Sequence, residues 1–199
     1  FIDMSTTSPA DARAAAEQLA EVGVDFLDAP VSGGLTGASE GTLSIMVGGH
    51  ESVLEKARGV LALLGRSITY MGPVGSGQVT KAANQLIVGG TLALVAEATV
   101  LLKKSGVDPA TALSALRGGL AGSRILDLKG PQMIEREFTP TFAAALHLKD
   151  MDIAMAVGHE AHCVRPVTAC VLQLFEAVCA CGFAEQDRSA IINCIETRS

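Results

Sequence analysis

The sequence predicts an α/β layer followed by an all-helical (all-α) domain. Over residues 1–73, short β-rich runs alternate with helical stretches, which is the pattern of α/β proteins. After that point no strand pattern is found, and restart signals such as Asp108-Pro109 divide the chain into helices. We therefore expect two domains, 1–73 and 74–199.

The first domain is predicted from strands of period two and from helix-start signals. Ser8 followed by Pro9 is a good helix start, because serine caps free amides and proline fits the first turn. The predicted elements are strands at 1–5, 25–31, 42–49 and 67–72, and helices at 9–22 and 51–64.

The second domain is predicted to contain six helices, at 78–104, 109–117, 123–137, 141–161, 166–181 and 186–197. The first, of about 27 residues, would be about 40 Å long, enough to link two domains. Its apolar run, 86–102, approaches the length of a membrane span, but Glu97 and the Gly89-Gly90 pair favour a core helix buried on most sides. We expect no membrane partner.

Composition narrows the class of protein. Of 199 residues, 49% are hydrophobic and 18% charged, which predicts an ordered protein with apolar surface in excess of a monomer's needs. We interpret that excess as a buried interface. A net charge of −6 without clustered Lys and Arg excludes nucleic acid as a partner.

Cysteine usage indicates a reducing compartment. The five cysteines include no CxxC pair, so free thiols in the cytoplasm are expected rather than a disulfide framework. His159, His162 and Cys163 could share a helix face, but no fourth ligand follows at recognisable spacing, and we expect no metal.

The most informative segment is GSGQVTKAANQ, residues 75–85, which places Lys81 at the start of the apolar helix. Asn84 and Gln85 follow at helical spacing and share its face. An ammonium group beside two amides could protonate a carbonyl oxygen as that carbonyl is reduced. The alternative is that Lys81 only extends to solvent. Neither a Walker A loop nor the GxGxxG fingerprint fits this segment.

A second candidate site is the loop that follows the predicted strand 25–31. Ser32, Gly33 and Gly34 combine a hydroxyl with backbone amides that lack side-chain cover, which suits a carboxylate ligand. The alternative is that both glycines serve a tight turn and a close crossing with strand 42–49.

Two further segments carry candidate residues. HLKDMD, residues 147–152, holds Lys149 and Asp150, which alone would be a solvated helix face with a local ion pair. RGGLAGS, which ends at Ser123, is either a helix junction or the lip of a pocket for an anionic ligand.

The segments DMSTTSP, DAPVSGGLTGASEGTLSIMVGG, GSGQVTKAANQ, RGGLAGS and LHLKDMD, in this order, resemble the β-hydroxyacid dehydrogenase family. The resemblance covers essentially the whole chain. It implies a Rossmann domain and a helical domain like that of 6-phosphogluconate dehydrogenase, joined by a long helix. It also implies an NAD or NADP cofactor, and a small hydroxyacid that is interconverted with its semialdehyde.

The resemblance assigns roles to particular residues. Lys81 would be catalytic, and cofactor contacts would come from Thr6 and Lys149. The implied substrate-binding residues are Ser32, Gly33, Gly34, Asn84, Gln85 and Ser123.

One departure from the family pattern is large. Family members open with a glycine-rich βαβ unit that holds the cofactor pyrophosphate, and these residues contain none. We expect them to be the later part of a longer polypeptide, to bind NAD(H) or NADP(H) weakly alone and to turn over poorly alone. The resemblance also implies a homodimer or homotetramer formed through the helical domain. A rival interpretation is a non-catalytic dimerisation module, and a third is a dehydrogenase of six-carbon sugar acids with a similar architecture, which would need a wider and more basic pocket.

Overall fold

The computed structural model describes residues 1–198, which form two compact units. Unit 1 comprises residues 1–84 and 156–163, and unit 2 comprises residues 85–155 and those from 164 onward. The predicted domain boundary between residues 73 and 74 stays a prediction.

Unit 1 is an α/β layer built on a mixed sheet. The strand order is β1-β2-β4-β3, and β5 also pairs with β4. β1 runs parallel to β2 and β4 parallel to β5, whereas β4 is antiparallel to β2 and β3. The elements are β1 (Ile2–Asp3), α1 (Pro9–Glu21), β2 (Leu27–Asp28), β3 (Val31–Ser32), α2 (Gly34–Ser39), β4 (Leu43–Gly49), α3 (Glu51–Leu61) and β5 (Gly65–Gly72).

Local chemistry explains the boundaries in unit 1. The Ser8 hydroxyl accepts a hydrogen bond from the Asp11 amide at 3.0 Å, so the predicted cap of α1 is confirmed. The expected strand 25–31 is instead two short strands separated by Ala29 and Pro30, because proline cannot donate to a strand partner. The buried core of the unit consists of Leu27, Ala29, Leu43, Ile45, Val47, Leu54 and Leu61.

Unit 2 is helical. Its helices are the later part of α4 (Ser76–Lys104), then α5 (Pro109–Arg117), α6 (Arg124–Glu135), most of α7 (Ala144–Glu160), α8 (Pro166–Val178) and α9 (Ile191–Arg198). A π-helical turn, Cys179–Phe183, and a 3-10 turn, Arg188–Ala190, separate α8 from α9. Phe175, Met133 and Met151 are fully buried at its centre.

α7 begins later than predicted because the segment before it pairs with the turn before α9. Ala143 and Asp187 form an isolated antiparallel bridge, and the Ala144 amide donates to the Gln186 carbonyl at 2.8 Å. This pairing places residues 138–145 against residues 184–188.

α4 is not buried on most sides, contrary to expectation. Ile87, Leu94 and Leu101 are 64%, 65% and 66% exposed, whereas Gln78, Lys81 and Gln85 are buried. By length and composition, α4 and the helical segment 166–183 could each cross a membrane. This is weak evidence for a membrane span, because core helices of soluble proteins meet the same criterion.

Candidate active site

Lys81 is buried and its ammonium group is held beside the glycine loop. The side chain is only 7% exposed, and its Nζ donates a hydrogen bond to the Val31 carbonyl oxygen at 2.8 Å. Val31 directly precedes Ser32, so the lysine of GSGQVTKAANQ lies next to the loop of DAPVSGG within unit 1. The alternative in which Lys81 extends to solvent is wrong.

The loop after Val31 has the backbone geometry that glycine permits. Gly33 has φ 143° and Gly34 has φ 65°, both in the region that side chains disfavour. A Cβ on Gly33 would lie 3.0 Å from Leu43 Cδ2, so the close crossing with β4 is real. Both glycines are exposed.

Asp28 is a buried carboxylate at the start of α4. It accepts hydrogen bonds from the backbone amides of Gly75, at 2.8 Å, and Gln78, at 3.0 Å. Burial raises the pKa of Asp28, and these amide bonds offset only part of that rise. A negative charge here caps the helix that carries Lys81.

Gln78 connects α4 to the loop that follows β1. It is 1% exposed; its Nε2 donates to the Ser5 carbonyl at 2.9 Å, and its Oε1 accepts from the Thr7 amide at 3.2 Å. The STT loop, residues 5–7, is thereby fixed to the helix. It contains Thr6, the predicted cofactor contact, which is half-buried.

Asn84 is half-buried on α4, one turn after Lys81, as its spacing predicts. Its predicted contact with substrate stays a prediction.

In unit 2, a second buried carboxylate lies on α7. Asp150 is 1% exposed; it accepts a hydrogen bond from Gln85 Nε2 at 2.5 Å, and Lys149 Nζ lies 3.3 Å from its Oδ1. The local ion pair predicted for HLKDMD is therefore confirmed, but the solvated helix face is wrong, because Asp150 and His147 are buried. Gln85 thus connects α4 to α7 through Asp150, a role that its spacing from Lys81 did not predict. Its contact with substrate stays a prediction.

Ser123 is the N-cap of α6. Its hydroxyl accepts a hydrogen bond from the Leu126 amide at 3.0 Å. RGGLAGS is therefore a helix junction, and the binding role of Ser123 stays a prediction.

A buried ion pair that no motif indicated joins α6 to the turn before α9. Lys129 Nζ lies 2.9 Å from both carboxylate oxygens of Asp187, which also accept bonds from the Thr141 hydroxyl and the Ser189 amide. Burial would raise the pKa of Asp187, but these donors outweigh it and lower the pKa to about 2. The pair fixes the segment from which α7 starts.

The structure thus brings Lys81, the Ser32 loop, Asn84 and the STT loop into unit 1, and places Gln85, Ser123 and Lys149 in unit 2. Sequence reasoning missed Asp28 and Gln78. A polar residue at the end of a buried strand, and another on the buried face of α4, were the available signals.

Two family descriptions cover nearly the whole chain. "NAD-binding of NADP-dependent 3-hydroxyisobutyrate dehydrogenase" matches residues 75–195, and "NAD binding domain of 6-phosphogluconate dehydrogenase" matches residues 1–72. The second match extends over residues without a GxGxxG fingerprint, so that motif is not required to identify them.

The chain is similar to proteins named as reductases and dehydrogenases. It is 45% identical over 196 residues to 2-hydroxy-3-oxopropionate reductase of Escherichia coli (strain K12), covering 98% of this chain and 67% of that protein. It is 39% identical over 193 residues to 2-(hydroxymethyl)glutarate dehydrogenase of Eubacterium barkeri, covering 96% of this chain and 64% of that protein.

Solved structures share the fold. A 3-hydroxyisobutyrate dehydrogenase from Salmonella typhimurium superposes with a TM-score of 0.92 at 25% identity, covering 97% of this chain and 68% of that one. One from Mycobacterium tuberculosis, solved with L-serine, gives 0.88 at 33% identity, covering 98% and 69%. The chain spans about two thirds of the length of these relatives.

Proposed function

Because the chain belongs to the 3-hydroxyisobutyrate dehydrogenase-like family of NAD(P)-dependent β-hydroxyacid dehydrogenases, we propose that it carries the catalytic lysine and substrate loop of a small-hydroxyacid reductase. The proposed reaction interconverts tartronate semialdehyde and glycerate. The substrate choice rests on the 45% identity to a 2-hydroxy-3-oxopropionate reductase, another name for tartronate semialdehyde reductase.

The observation that carries the proposal is the bond from Lys81 Nζ to the Val31 carbonyl, at 2.8 Å. A buried ammonium is costly unless it is bonded, and this one is bonded at the lip of a loop whose amides suit a carboxylate. An acid and an anion site side by side are what reduction of a semialdehyde acid needs.

The proposed chemistry divides among three groups. Bound NADH or NADPH supplies the hydride. Protonated Lys81 donates a proton to the oxygen of the reduced carbonyl; in the reverse direction, the neutral amine accepts it. Ser32, with the amides of Gly33 and Gly34, holds the substrate carboxylate, and Asn84 orients the substrate.

The STT loop fits a cofactor contact. The hydroxyl of Thr7 is buried and finds no hydrogen-bond partner among the residues that the structure describes. A buried hydroxyl without a partner is costly, and a polar group of a bound nicotinamide would satisfy it. Thr6 and Lys149 remain the proposed cofactor contacts, with either NAD or NADP.

The test is a spectrophotometric assay of the intact enzyme that contains these residues, with NADH or NADPH, on tartronate semialdehyde. Lys81→Ala should lower kcat roughly 10²–10⁴-fold with a smaller change in KM, because it removes the proton donor. Lys56→Ala, at an exposed lysine, is the control. Near-normal kcat in the Lys81 variant would remove the lysine from the mechanism.

Substrate identity is decided by assaying oxidation of 3-hydroxyisobutyrate and of a phosphorylated sugar acid in parallel. The 37% identity to a 3-hydroxyisobutyrate dehydrogenase of Pseudomonas aeruginosa makes that hydroxyacid the second candidate. We expect the highest kcat/KM with tartronate semialdehyde. A preference for either other acid would reassign the substrate.

We also propose that the exposed face of α4 binds a second copy of the chain. Ile87, Leu94 and Leu101 recur every seven residues, the spacing with which apolar side chains of paired helices meet. Leu94→Glu should shift the mass measured by light scattering toward the monomer, whereas Leu63→Glu, at an exposed site in unit 1, should not. An unchanged mass in both variants would place any interface elsewhere.

Two further proposals concern organisation and compartment. We retain residues 1–73 as nucleotide-domain sequence and 74–199 as the substrate and dimerisation domain. None of the five cysteines forms a disulfide within residues 1–198, which supports the cytoplasm as the compartment. Fractionation of the native source, followed by thiol titration, tests the second proposal.

A further inference from the structure

We infer that Gln78 and Asp28 are positioning residues for Lys81 and for the STT loop. This inference deepens the proposed function and rests on it, because it concerns the residues that hold the catalytic lysine in place. Neither side chain is needed to contact substrate or cofactor. We call the two residues, with their hydrogen bonds, the Gln78 latch.

Gln78 uses its backbone amide and both polar atoms of its side chain toward two segments of unit 1. Its backbone amide donates to Asp28 at 3.0 Å, and its side chain donates to the Ser5 carbonyl and accepts from the Thr7 amide. At 1% exposure no water competes for these bonds. The side chain therefore fills a place that an apolar residue of the same size could occupy only by leaving two backbone groups unpaired.

The latch closes a ring through Lys81. Asp28 bonds the amide of Gln78, and Lys81 lies three residues further along the same helix. Lys81 Nζ then bonds the carbonyl of Val31, three residues after Asp28. The Lys81 ammonium is thus bonded directly to the Val31 carbonyl and is connected to Asp28 through the first turn of α4. Its position therefore depends on where α4 begins.

Tight packing keeps Asp28 in this arrangement. A Cβ on Gly77 would lie 2.5 Å from the Met46 carbonyl oxygen and 2.8 Å from Asp28 Oδ2. A Cβ on Gly48 would lie 2.4 Å from Asp28 Oδ1. The first turn of α4 therefore packs directly against the backbone of Met46 and the carboxylate of Asp28. No free space is left into which Gly77 could shift.

The test compares Gln78→Met with Val79→Ala in the purified chain. Val79 is exposed and neighbours the latch without belonging to it. By hydrogen exchange, we expect the Thr7 amide to exchange about tenfold faster or more in Gln78→Met and unchanged in Val79→Ala, because only the first loses the acceptor. Unchanged protection of Thr7 in Gln78→Met would overturn the link to the STT loop.

Reactivity of Lys81 is the second readout. Reductive methylation, followed by peptide mass spectrometry, gives the Lys81 rate relative to Lys56, whose side chain is 72% exposed in the same molecule. We expect that ratio to rise several-fold in Gln78→Met and to stay constant in Val79→Ala. An unchanged ratio would show that the latch does not position the lysine.

Asp28→Asn provides a second route should Gln78→Met fail to fold. Gly75 and Gln78 donate to different oxygens of Asp28, and asparagine replaces one of these oxygens with an NH2 group that cannot accept, so exchange at Gly75 or Gln78 and methylation of Lys81 should both accelerate. No change in either would contradict the inference.

Kinetics separate the latch from the proposed reaction. If the chain reduces the semialdehyde, Gln78→Met should lower kcat at least tenfold with KM changed less, since proton donation suffers more than carboxylate binding. If the intact enzyme that contains these residues shows no turnover, the proposed function fails, and the exchange and methylation results still decide the latch.

Discussion

Asp28 in unit 1 and Asp187 in unit 2 are both fully buried carboxylates, yet their pKa values move in opposite directions. Burial raises the pKa of Asp28, whose bonds come from backbone amides. Asp187 meets the same burial penalty, but the Lys129 ammonium and the Thr141 hydroxyl join the amides and its pKa falls to about 2. Burial therefore does not decide the state of a carboxylate in this protein; the kind of donor does.

Because their pKa values move in opposite directions, the charges of Asp28 and Asp187 contribute to stability with opposite signs. Asp187, with its cation, is a cross-link between α6 and the turn before α9, and its charge stabilises the fold. Asp28, without a cation, holds the start of α4 while its charge costs free energy. Proteins commonly keep energetically unfavourable groups near functional sites and pair buried charges fully elsewhere.

The largest expected effect comes from breaking the pair of Asp187. Lys129→Met should lower the free energy of unfolding by about 3–5 kcal/mol, because it leaves a buried charge without its cation. Urea unfolding measures it. Lys103→Met, which removes an exposed ion pair with Glu196, should cost at most about 1 kcal/mol. Equal losses in both variants would contradict the comparison.

A pH series sharpens the comparison. Because the pKa of Asp187 falls from 3.8 to about 2, its stabilisation is present above pH 3.8 and is lost as the pH falls through about 2. The span corresponds to roughly 2–3 kcal/mol. Wild type should lose its advantage over Asp187→Asn across that window, in unfolding measured from pH 6 to pH 2.

For Asp28 the sign is reversed. With a raised pKa, the native state is favoured below pH 3.8 and loses that gain as the pH rises through the folded value. Wild type should therefore gain stability relative to Asp28→Asn as the pH falls. Parallel trends for the two variants would show that the carboxylates do not differ as described.

A smaller effect tests the packing around Asp28. Gly48→Ala would place a Cβ 2.4 Å from Asp28 Oδ1 and should cost about 1–3 kcal/mol by overpacking. Gly59→Ala, in α3 with nothing within 4 Å of the added atom, should stabilise by about 0.5–1 kcal/mol. Thermal unfolding of both variants gives the opposite signs directly.

The smallest effect concerns a hydroxyl that caps a helix without any charge. Ser123→Ala should lower stability by about 1 kcal/mol, since the Leu126 amide loses its acceptor. Ser39→Ala, at an exposed hydroxyl, is the control. Comparing KM in the two variants shows whether Ser123 also contacts substrate, as the family resemblance implies.

What could be predicted from sequence was local. Lys81, Asn84 and the glycine loop lie in contiguous motifs, and caps such as Ser8 depend on residues three positions apart, so their spacing carried the information. α2 was not predicted, because the glycine-rich run 33–37 has the composition of a loop.

What was missed depends on pairs far apart in the chain. Asp28 and Gln78 are 50 residues apart, and Lys129 and Asp187 are 58 apart, so no window contains both partners. α4 also departs from the usual pattern, since it buries Gln78 and Lys81 as well as apolar residues such as Leu92, while Ile87 and Leu94 are exposed. A rule that places only apolar residues inside misses the buried polar side chains of such a helix.

The bond from Lys81 to Val31 also gives the amine a direction. A carbonyl oxygen only accepts, so one N–H of Lys81 points at Val31 whether the group is charged or neutral. When the amine is neutral, its lone pair must therefore point along another of the tetrahedral directions around nitrogen. The position of the Val31 carbonyl therefore restricts the directions from which a proton can reach neutral Lys81.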